Sequence, residues 1–191
     1  MDTLIVYCHP YEGSFCHAVR KAIERRLARE DREFEVADLY ADKFEPAMSA
    51  EELAHYNQGT IFDPLVAHYI SLLEGTRHLV LIFPIWWNDA PAMLRGWLDR
   101  VLLIGHTWDV DESGMVGKLG HIEDVTCYTS SDNPTSFLCE KTGNGIRHTF
   151  LDGTFMQLGI KRRIWHNFGM ASTASNHERI AWLSDIESGR I

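Results

Sequence analysis

The sequence has little positive charge and no long hydrophobic run. Its 27 acidic residues outnumber its 18 basic residues, for a formal net charge of −9. Binding to nucleic acid or to anionic lipid needs clustered Lys and Arg, and the densest basic cluster is only Lys161 to Arg163. We therefore expect neither kind of partner. No apolar run approaches the ~20 residues of a membrane-spanning helix, so no integral membrane segment is predicted.

The chain also lacks the signals of secretion, of metal binding and of common nucleophilic catalysis. The N-terminus has no basic region and no cleavage site of a signal peptide. The four cysteines show no C-x-x-C spacing, so we interpret them as reduced thiols and predict a cytoplasmic protein. Because H-E-x-x-H and paired Cys/His spacings are missing, no metal site is predicted. Neither a G-x-S-x-G motif nor a P-loop occurs.

What the chain does contain is an alternation of strand and helix patterns over 191 residues. With 45% hydrophobic residues and no linker, it is interpreted as a single domain covering residues 1–191. Strands are predicted at residues 3–8, 34–39, 78–83, 123–130 and 163–168. Helices are predicted at residues 15–29, 91–103 and 145–158, with further helix starts at Ser49, Asp63 and Ser175.

This alternation indicates right-handed crossovers and a parallel sheet. The Rossmann fingerprint G-x-G-x-x-G is missing after the first strand. Five strands then favour a flavodoxin-like α/β fold, a three-layer sandwich with strand order 2-1-3-4-5 and helices on both faces. In such sheets ligands bind beyond the carboxyl ends of the strands, at the point where the strand order reverses.

Three loops follow strands that are predicted to be neighbours at this edge. The turn at residues 9–16 leads into a helix N-terminus, which suits a phosphate. The loop at residues 83–91 contains Trp86 and Trp87, whose flat rings suit a flat ligand. The loop at residues 129–134 is polar. Each loop alone also fits a helix cap, a core aromatic pair or a surface turn, and their common edge is what indicates a ligand site.

The central segment resembles a known family. Residues 83–101, FPIWWNDAPAMLRGWLDRV, are similar to the segment P-x-x-W-x-x-x-P-A-x-L-K/R-G-W-x-D/E-R-V of the DT-diaphorase family of NAD(P)H:quinone oxidoreductases. The H-x-x-x-x-S-F turn that begins at His9 and the D-L-Y…F-x-P pattern at residues 38–46 also match. The resemblance implies a homodimer with FMN or FAD in each subunit. It also implies hydride transfer from NAD(P)H through flavin N5 to a quinone or similar acceptor.

Carried over residue by residue, the resemblance gives twelve candidate cofactor-binding residues. The first four would lie at the flavin phosphate, the next four along the isoalloxazine and the last four in the third loop. They are His9, Ser14, Phe15, Cys16, Pro84, Ile85, Trp86, Trp87, Thr129, Ser130, Ser131 and Asp132. Cys16 stands where the family commonly has Asn, and the third loop lacks the glycines of the family's T-T-G-G. The family's Tyr–His proton relay has no clear match, and Phe137 and His148 are the candidates, His148 being the candidate catalytic residue.

Two other functions share this fold. One is an ancillary regulatory flavoprotein subunit of a potassium-efflux transporter, which would co-purify with its membrane partner. The other is a one-electron carrier of the flavodoxin type. The Trp-rich loop and the G-W-x-D-R-V helix favour the reductase over the carrier.

Apolar residues near the predicted site indicate self-association. The helix after Pro91 carries six apolar side chains, more than one sheet face needs: Met93, Leu94, Trp97, Leu98, Val101 and Leu102. Trp86, Trp87 and Trp108 add to them. A two-fold interface would cover such a patch, so a homodimer is predicted, with Trp108 as a candidate wall of the partner's site.

Overall fold

The structure is a computed structural model that describes residues 1–191. Its strands are β1 (Thr3–Tyr7), β2 (Phe34–Asp38), β3 (His78–Pro84), β4 (Trp108–Asp111), β5 (Gly114–Gly117), β6 (Asp124–Ser131) and β7 (Arg162–Gly169). Five of them form a parallel sheet in the order β2-β1-β3-β6-β7. Because β4 and β5 form a separate antiparallel hairpin, this is the predicted order 2-1-3-4-5, and the prediction is confirmed.

Four of the six helices begin at the side-chain caps that the sequence predicts. The six are α1 (Phe15–Arg29), α2 (Ala50–Ala54), α3 (Pro64–Glu74), α4 (Ala92–Val101), α5 (Thr135–Glu140) and α6 (Asn176–Glu187). Ser14 accepts a hydrogen bond from the third residue of α1, and Asp63 caps α3. Ser49 and Ser175 each form a capping box with a glutamate three residues later. None of the helices combines the length and the apolar character needed to cross a membrane.

Helices cover both faces of the sheet, as predicted. Strand β1 shows why, because every one of its residues is buried and alternate residues enter different cores. Leu4 and Val6 belong to the larger core, with α3, α4 and the segment 146–155. Ile5 and Tyr7 belong to the smaller core, with α1 and Ile186 of α6. The sheet thus places its carboxyl edge between two rigid layers.

Three elements differ from the sequence predictions. The helix expected at residues 145–158 is a π-helix over Ile146–Phe155. The segment 132–141, interpreted as a loop at its start, contains the six-residue helix α5. The β4–β5 hairpin was not predicted at all. Its strands have four residues each, too few to show a period, and the hairpin packs so closely that a Cβ at Gly117 would lie 2.1 Å from the Leu158 backbone.

The proposed apolar patch on the helix after Pro91 is wrong. Leu94, Trp97, Leu98 and Val101 are all buried within the chain's own core. They are buried because α4 packs against both the sheet and α3, where the centroids of the Trp97 and Tyr69 rings are 6.3 Å apart. The chain's own core therefore covers these side chains without a second subunit. An interface between two copies would have to consist of other residues.

Candidate functional site

Two adjoining cavities open where the loops after β1, β3 and β6 lie side by side. The first, called the serine cavity, has a volume of about 310 Å³. Its lining residues are His9, Gly13, Ser14, Phe15, Pro84, Ile85, Trp86, Ser130, Ser131, Asp132, Ala171, Ser172 and Arg179. The second, called the tryptophan cavity, has a volume of about 550 Å³. Its lining residues are Ile85, Trp86, Trp87, Asn88, Ser131, Asp132, Asn133, Phe137, Leu138 and Thr142.

Ten of the twelve candidate cofactor-binding residues line one or both cavities, and Cys16 and Thr129 line neither. The Cys16 sulfur lies beneath the site, 3.2 Å from Ser130 Oγ, and burial raises the pKa of this thiol to about 11. Thr129 Oγ1 donates to Asn167 Oδ1 at 2.8 Å and accepts from Trp165 Nε1 at 2.8 Å. Cys16 therefore links α1 to β6 beneath the site, and Thr129 links β6 to β7.

The two candidates for a proton relay lie apart. Phe137 lines the tryptophan cavity. His148 is exposed on the π-helix and lines neither cavity. The structure therefore does not bring these two side chains together at the site.

The turn after β1 forms an anion-binding end to the serine cavity. Ser14 Oγ accepts from the His17 backbone N–H at 3.1 Å, so its own hydroxyl hydrogen is free to donate into the cavity. The first N–H groups of α1 have no partner within the helix, and its dipole adds partial positive charge at this end. A phosphate or carboxylate placed here would meet several donors at once.

His9 adds a neutral donor to the same end. Its Nδ1 accepts a hydrogen bond from the Tyr11 backbone N–H at 3.0 Å, which leaves the proton on Nε2. Burial lowers the pKa of His9, so the ring is uncharged at neutral pH. Its ring stands edge-on to that of Trp86, with the centroids 6.2 Å apart. His9 therefore links the anion-binding end to the aromatic wall.

Arg179 is the site residue that sequence reasoning missed. It extends from α6 into the lining of the serine cavity, where Nη2 donates to the Ser172 carbonyl at 3.0 Å. Its Nε is buried and has no hydrogen-bond partner. A cation in the first turn of a helix is unfavourable because it opposes the helix dipole. Arg179 is such a cation, at the fourth position of α6, and this placement was the signal in the sequence that could have marked it as a site residue.

The loop after β3 holds its aromatic residues in a tight and strained turn. Trp86 and Asp89 exchange two backbone hydrogen bonds of 3.0 and 3.1 Å. The two residues between them, Trp87 and Asn88, have φ angles of 52° and 66°. This is the geometry of a two-residue hairpin turn that favours Asn and Gly, and a bulky residue there is strained. This turn places Trp87 at the cavity mouth, where it is 98% exposed in the single chain.

Replacing Trp87 with glycine is expected to leave the ligand-free protein about 1 kcal/mol more stable than replacing it with alanine. Glycine adopts a positive φ without the steric cost of a Cβ, and neither variant keeps the indole. Urea denaturation measures the change. Trp87→Ala is the matched control, since it removes the indole and keeps the strained Cβ. Equal stabilities for the two variants would show that the turn is not strained.

The two cavities together suit a ligand with an anionic end and a flat ring. The serine cavity offers the α1 N-terminus, Ser14, His9 and the Arg179 guanidinium, whose buried Nε has no hydrogen-bond partner. The shared wall offers Ile85 and the half-exposed indole of Trp86. Since these groups stand at the ends of β1 and β3 and on α6, packed elements hold the site in place before any ligand arrives.

Comparisons with known proteins agree with this arrangement. Residues 1–183 match a protein family described by its flavodoxin-like fold. Ribosyldihydronicotinamide dehydrogenase [quinone] of Pongo abelii is 30% identical over 187 aligned positions, which cover 83% of the chain and 77% of the relative. The NAD(P)H:quinone oxidoreductase of Methanothermobacter marburgensis superposes with a TM-score of 0.84 at 24% identity, over 99% of this chain and 96% of that one. An FMN-dependent NADH-azoreductase of Bacillus anthracis, solved with FMN, superposes with a TM-score of 0.78 at 18% identity, over 98% and 96%. The chain belongs to the flavodoxin-like family that contains the NAD(P)H dehydrogenases [quinone].

Proposed function

We propose that the protein is a flavin-dependent NAD(P)H:quinone oxidoreductase that binds FMN or FAD across the serine and tryptophan cavities. The observation that carries the proposal is the meeting of an anion-binding turn and an aromatic loop at the carboxyl edge of the sheet. The names of the Pongo abelii and Bacillus anthracis proteins supply the reaction class and the flavin. The comparisons do not support an ancillary transporter subunit.

The residues present fit such a cofactor. The flavin phosphate would lie against the α1 N-terminus, where Ser14 and neutral His9 donate and Arg179 supplies the positive charge. The isoalloxazine would lie along Ile85 and Trp86. When bound, the flavin takes a hydride from the nicotinamide and passes it to the acceptor. The protein's task is then to position both rings and to leave one face open for donor and acceptor in turn.

Reduction of a quinone also needs a proton, and neither of the two relay candidates can supply it within the cavities. Phe137 carries no exchangeable proton, and His148 lies outside both cavities. Asp132 is the one ionisable side chain in the lining of the tryptophan cavity. Water that enters this cavity with the acceptor would then supply the proton.

A direct experiment tests the function. The purified protein, reconstituted with FMN or FAD, should show a flavin absorption spectrum and should oxidise NADH or NADPH with menadione as acceptor. Mass spectrometry of the released cofactor separates FMN from FAD. A protein that stays colourless and leaves flavin fluorescence unquenched is not a flavoprotein. A yellow protein that reduces no quinone has a different acceptor.

We also propose a cytoplasmic homodimer. All four cysteines are unpaired, which fits a reducing compartment. Trp87 and Phe137 are exposed at the cavity mouth, and Val110 and Met115 are exposed on the β4–β5 hairpin. A second copy that covered these side chains would also wall each flavin site. Trp108 is held within its own chain by a 2.9 Å hydrogen bond from Nε1 to the Leu102 carbonyl.

Sedimentation at micromolar concentration is therefore expected to show a species of twice 21.9 kDa. Met115→Asp is expected to shift the equilibrium toward monomer, because it would place a charge in an apolar interface. Glu112→Gln is the control, because it changes the charge of the same hairpin at a position that is already polar. A wild-type protein that sediments only as a 21.9 kDa species and still oxidises NADH would contradict the dimer.

A further inference from the structure

A third cavity lies at the opposite edge of the sheet from the proposed flavin site. It has a volume of about 440 Å³, within the range of small-molecule sites. Thr3, His78, Asp124 and Arg162, the first residues of β1, β3, β6 and β7, all line it. The cavity therefore opens at the amino ends of the strands, on the sheet face that α1 covers in part. We call it the arginine cavity.

Four arginines line this cavity in a chain whose net charge is strongly negative. Two of them donate hydrogen bonds to carboxylates. Arg32 Nε lies 2.5 Å from Asp2 Oδ2, and Arg190 Nε lies 2.7 Å from Asp185 Oδ1. Arg32 and Arg190 lie at the wall of the cavity, and because a carboxylate balances the charge of each, they offer little charge to a ligand.

The other two arginines, Arg26 and Arg162, keep donors free. Arg26 Nη1 donates to the main-chain oxygens of Ile186 and Ile191 at 3.4 and 3.1 Å. Its Nε forms an ion pair with Glu30 Oε1 at 3.5 Å but is buried without a hydrogen-bond partner. Arg162 also lines the cavity but is exposed, and its guanidinium makes no hydrogen bond or ion pair with the rest of the chain. The buried Arg26 Nε is the uncommon case in a folded chain, and it indicates a missing acceptor.

Neutral polar groups on the sheet surface face the same space. The Tyr128 side chain is only 4% exposed, and its ring stacks on that of His166 at 5.2 Å. Burial lowers the pKa of His166, and the charge of Arg26 acts in the same direction. Thr126 adds a hydroxyl from the same strand. The carboxylate in the lining, on Asp124, is already bound to His78 Nδ1 at 2.8 Å.

We propose that the arginine cavity is a binding site for a small phosphate-bearing anion. Arg26 from α1 and Arg162 from β7 approach from different elements, and the planar guanidinium fork matches the oxygens of a phosphate. The hydroxyls of Thr126 and Tyr128 complete the donors on the sheet side. The site is separate from the serine cavity, because the two cavities share no lining residue.

Isothermal titration calorimetry with pyrophosphate tests this proposal on protein saturated with FMN, so that the serine cavity is filled. We expect one pyrophosphate per chain. Arg26→Met and Arg162→Gln should each weaken its binding at least tenfold. Arg25→Met is the matched control, since it removes the same charge from the adjacent residue of α1, which does not line the cavity. This variant should bind pyrophosphate within about twofold of the wild type.

Three results would overturn the proposal. The first is no binding to the FMN-saturated protein. The second is binding to the FMN-free protein alone, which would place the anion in the serine cavity. The third is an equal loss of affinity in Arg25→Met and Arg162→Gln. Arg162 makes no side-chain contact that folding requires, so Arg162→Gln decides the matter if Arg26→Met fails to fold. Should the protein bind no flavin, the same variants are compared in the FMN-free protein, and the outcome is independent of the proposed function.

Discussion

Replacement of Arg100 with methionine is expected to lower the free energy of unfolding by about 3 kcal/mol, the lower end of the range for breaking a buried ion pair. The Arg100 guanidinium is buried beneath α2, where Nε and Nη2 donate to Glu52 Oε1 at 2.8 and 2.6 Å. Nη2 also donates to Asp63 Oδ2 at 3.0 Å, and Nη1 donates to the Glu45 carbonyl. Both carboxylates keep some contact with water, which is why the lower end of the range applies.

The loss of unfolding free energy in Arg100→Met should depend on pH, because the Glu52 carboxylate that pairs with Arg100 becomes protonated at low pH. Burial acts to raise the pKa of this carboxyl, but hydrogen bonds from Ser49 and the charge of Arg100 outweigh it and hold the pKa below the usual 4.5. A lowered pKa in the folded state stabilises the protein above the unfolded pKa, and this contribution disappears as the pH falls through the folded pKa. The difference between wild type and Arg100→Met should therefore be full at pH 7 and should shrink below about pH 4.5.

Urea denaturation of the flavin-free protein at several pH values measures both effects. Arg25→Met is the control for loss of an arginine ion pair at the surface. Arg25 is 57% exposed and pairs with Glu187, so its loss should cost less than about 1 kcal/mol. If Arg100→Met and Arg25→Met lost similar amounts of unfolding free energy, the buried ion pair of Arg100 would contribute no more to stability than an exposed one. A loss that does not change between pH 7 and pH 4 would remove Glu52 from the explanation.

The parts of the fold that could be predicted are those specified by neighbouring residues. Ser49 and Ser175 mark helix starts because the cap and its glutamate lie three positions apart in the sequence. Buried parallel strands such as β1 are continuous apolar runs, and their order follows from the regular alternation with helices. The convergence of three loops at one sheet edge followed from that order alone.

What could not be predicted depends on contacts between distant residues. The β4–β5 hairpin is fixed by its packing on residues near Leu158, about forty positions away, and its short strands show no period of their own. Arg179 lies in α6, the last helix of the chain, whereas the three predicted site loops end at residue 134, and only the folded sheet brings α6 beside Ser14. The burial of Trp97 likewise depends on α3, which no local pattern places against α4.

Replacement of Arg179 with methionine is expected to weaken FMN binding by about 10- to 100-fold, which corresponds to the loss of a hydrogen bond to a charged group. The same change should alter riboflavin affinity by less than about twofold, because riboflavin has no phosphate for the guanidinium to contact. Arg179 lines the serine cavity with a buried Nε that lacks a partner, so its removal frees no carboxylate and leaves no other buried ion unpaired. Methionine keeps most of the side-chain volume.

Quenching of flavin fluorescence on titration gives both affinities. Ser14→Ala offers a comparison within the same cavity: it should weaken FMN binding by about 1–2 kcal/mol and should also destabilise α1, since Ser14 caps that helix. Arg179→Met should leave the free energy of unfolding nearly unchanged, because its side chain makes one hydrogen bond, to Ser172. The salt dependence of FMN affinity should also fall in Arg179→Met, since a screened attraction has been removed. Equal losses of FMN and riboflavin affinity would show instead that Arg179 shapes the cavity and does not recognise the phosphate.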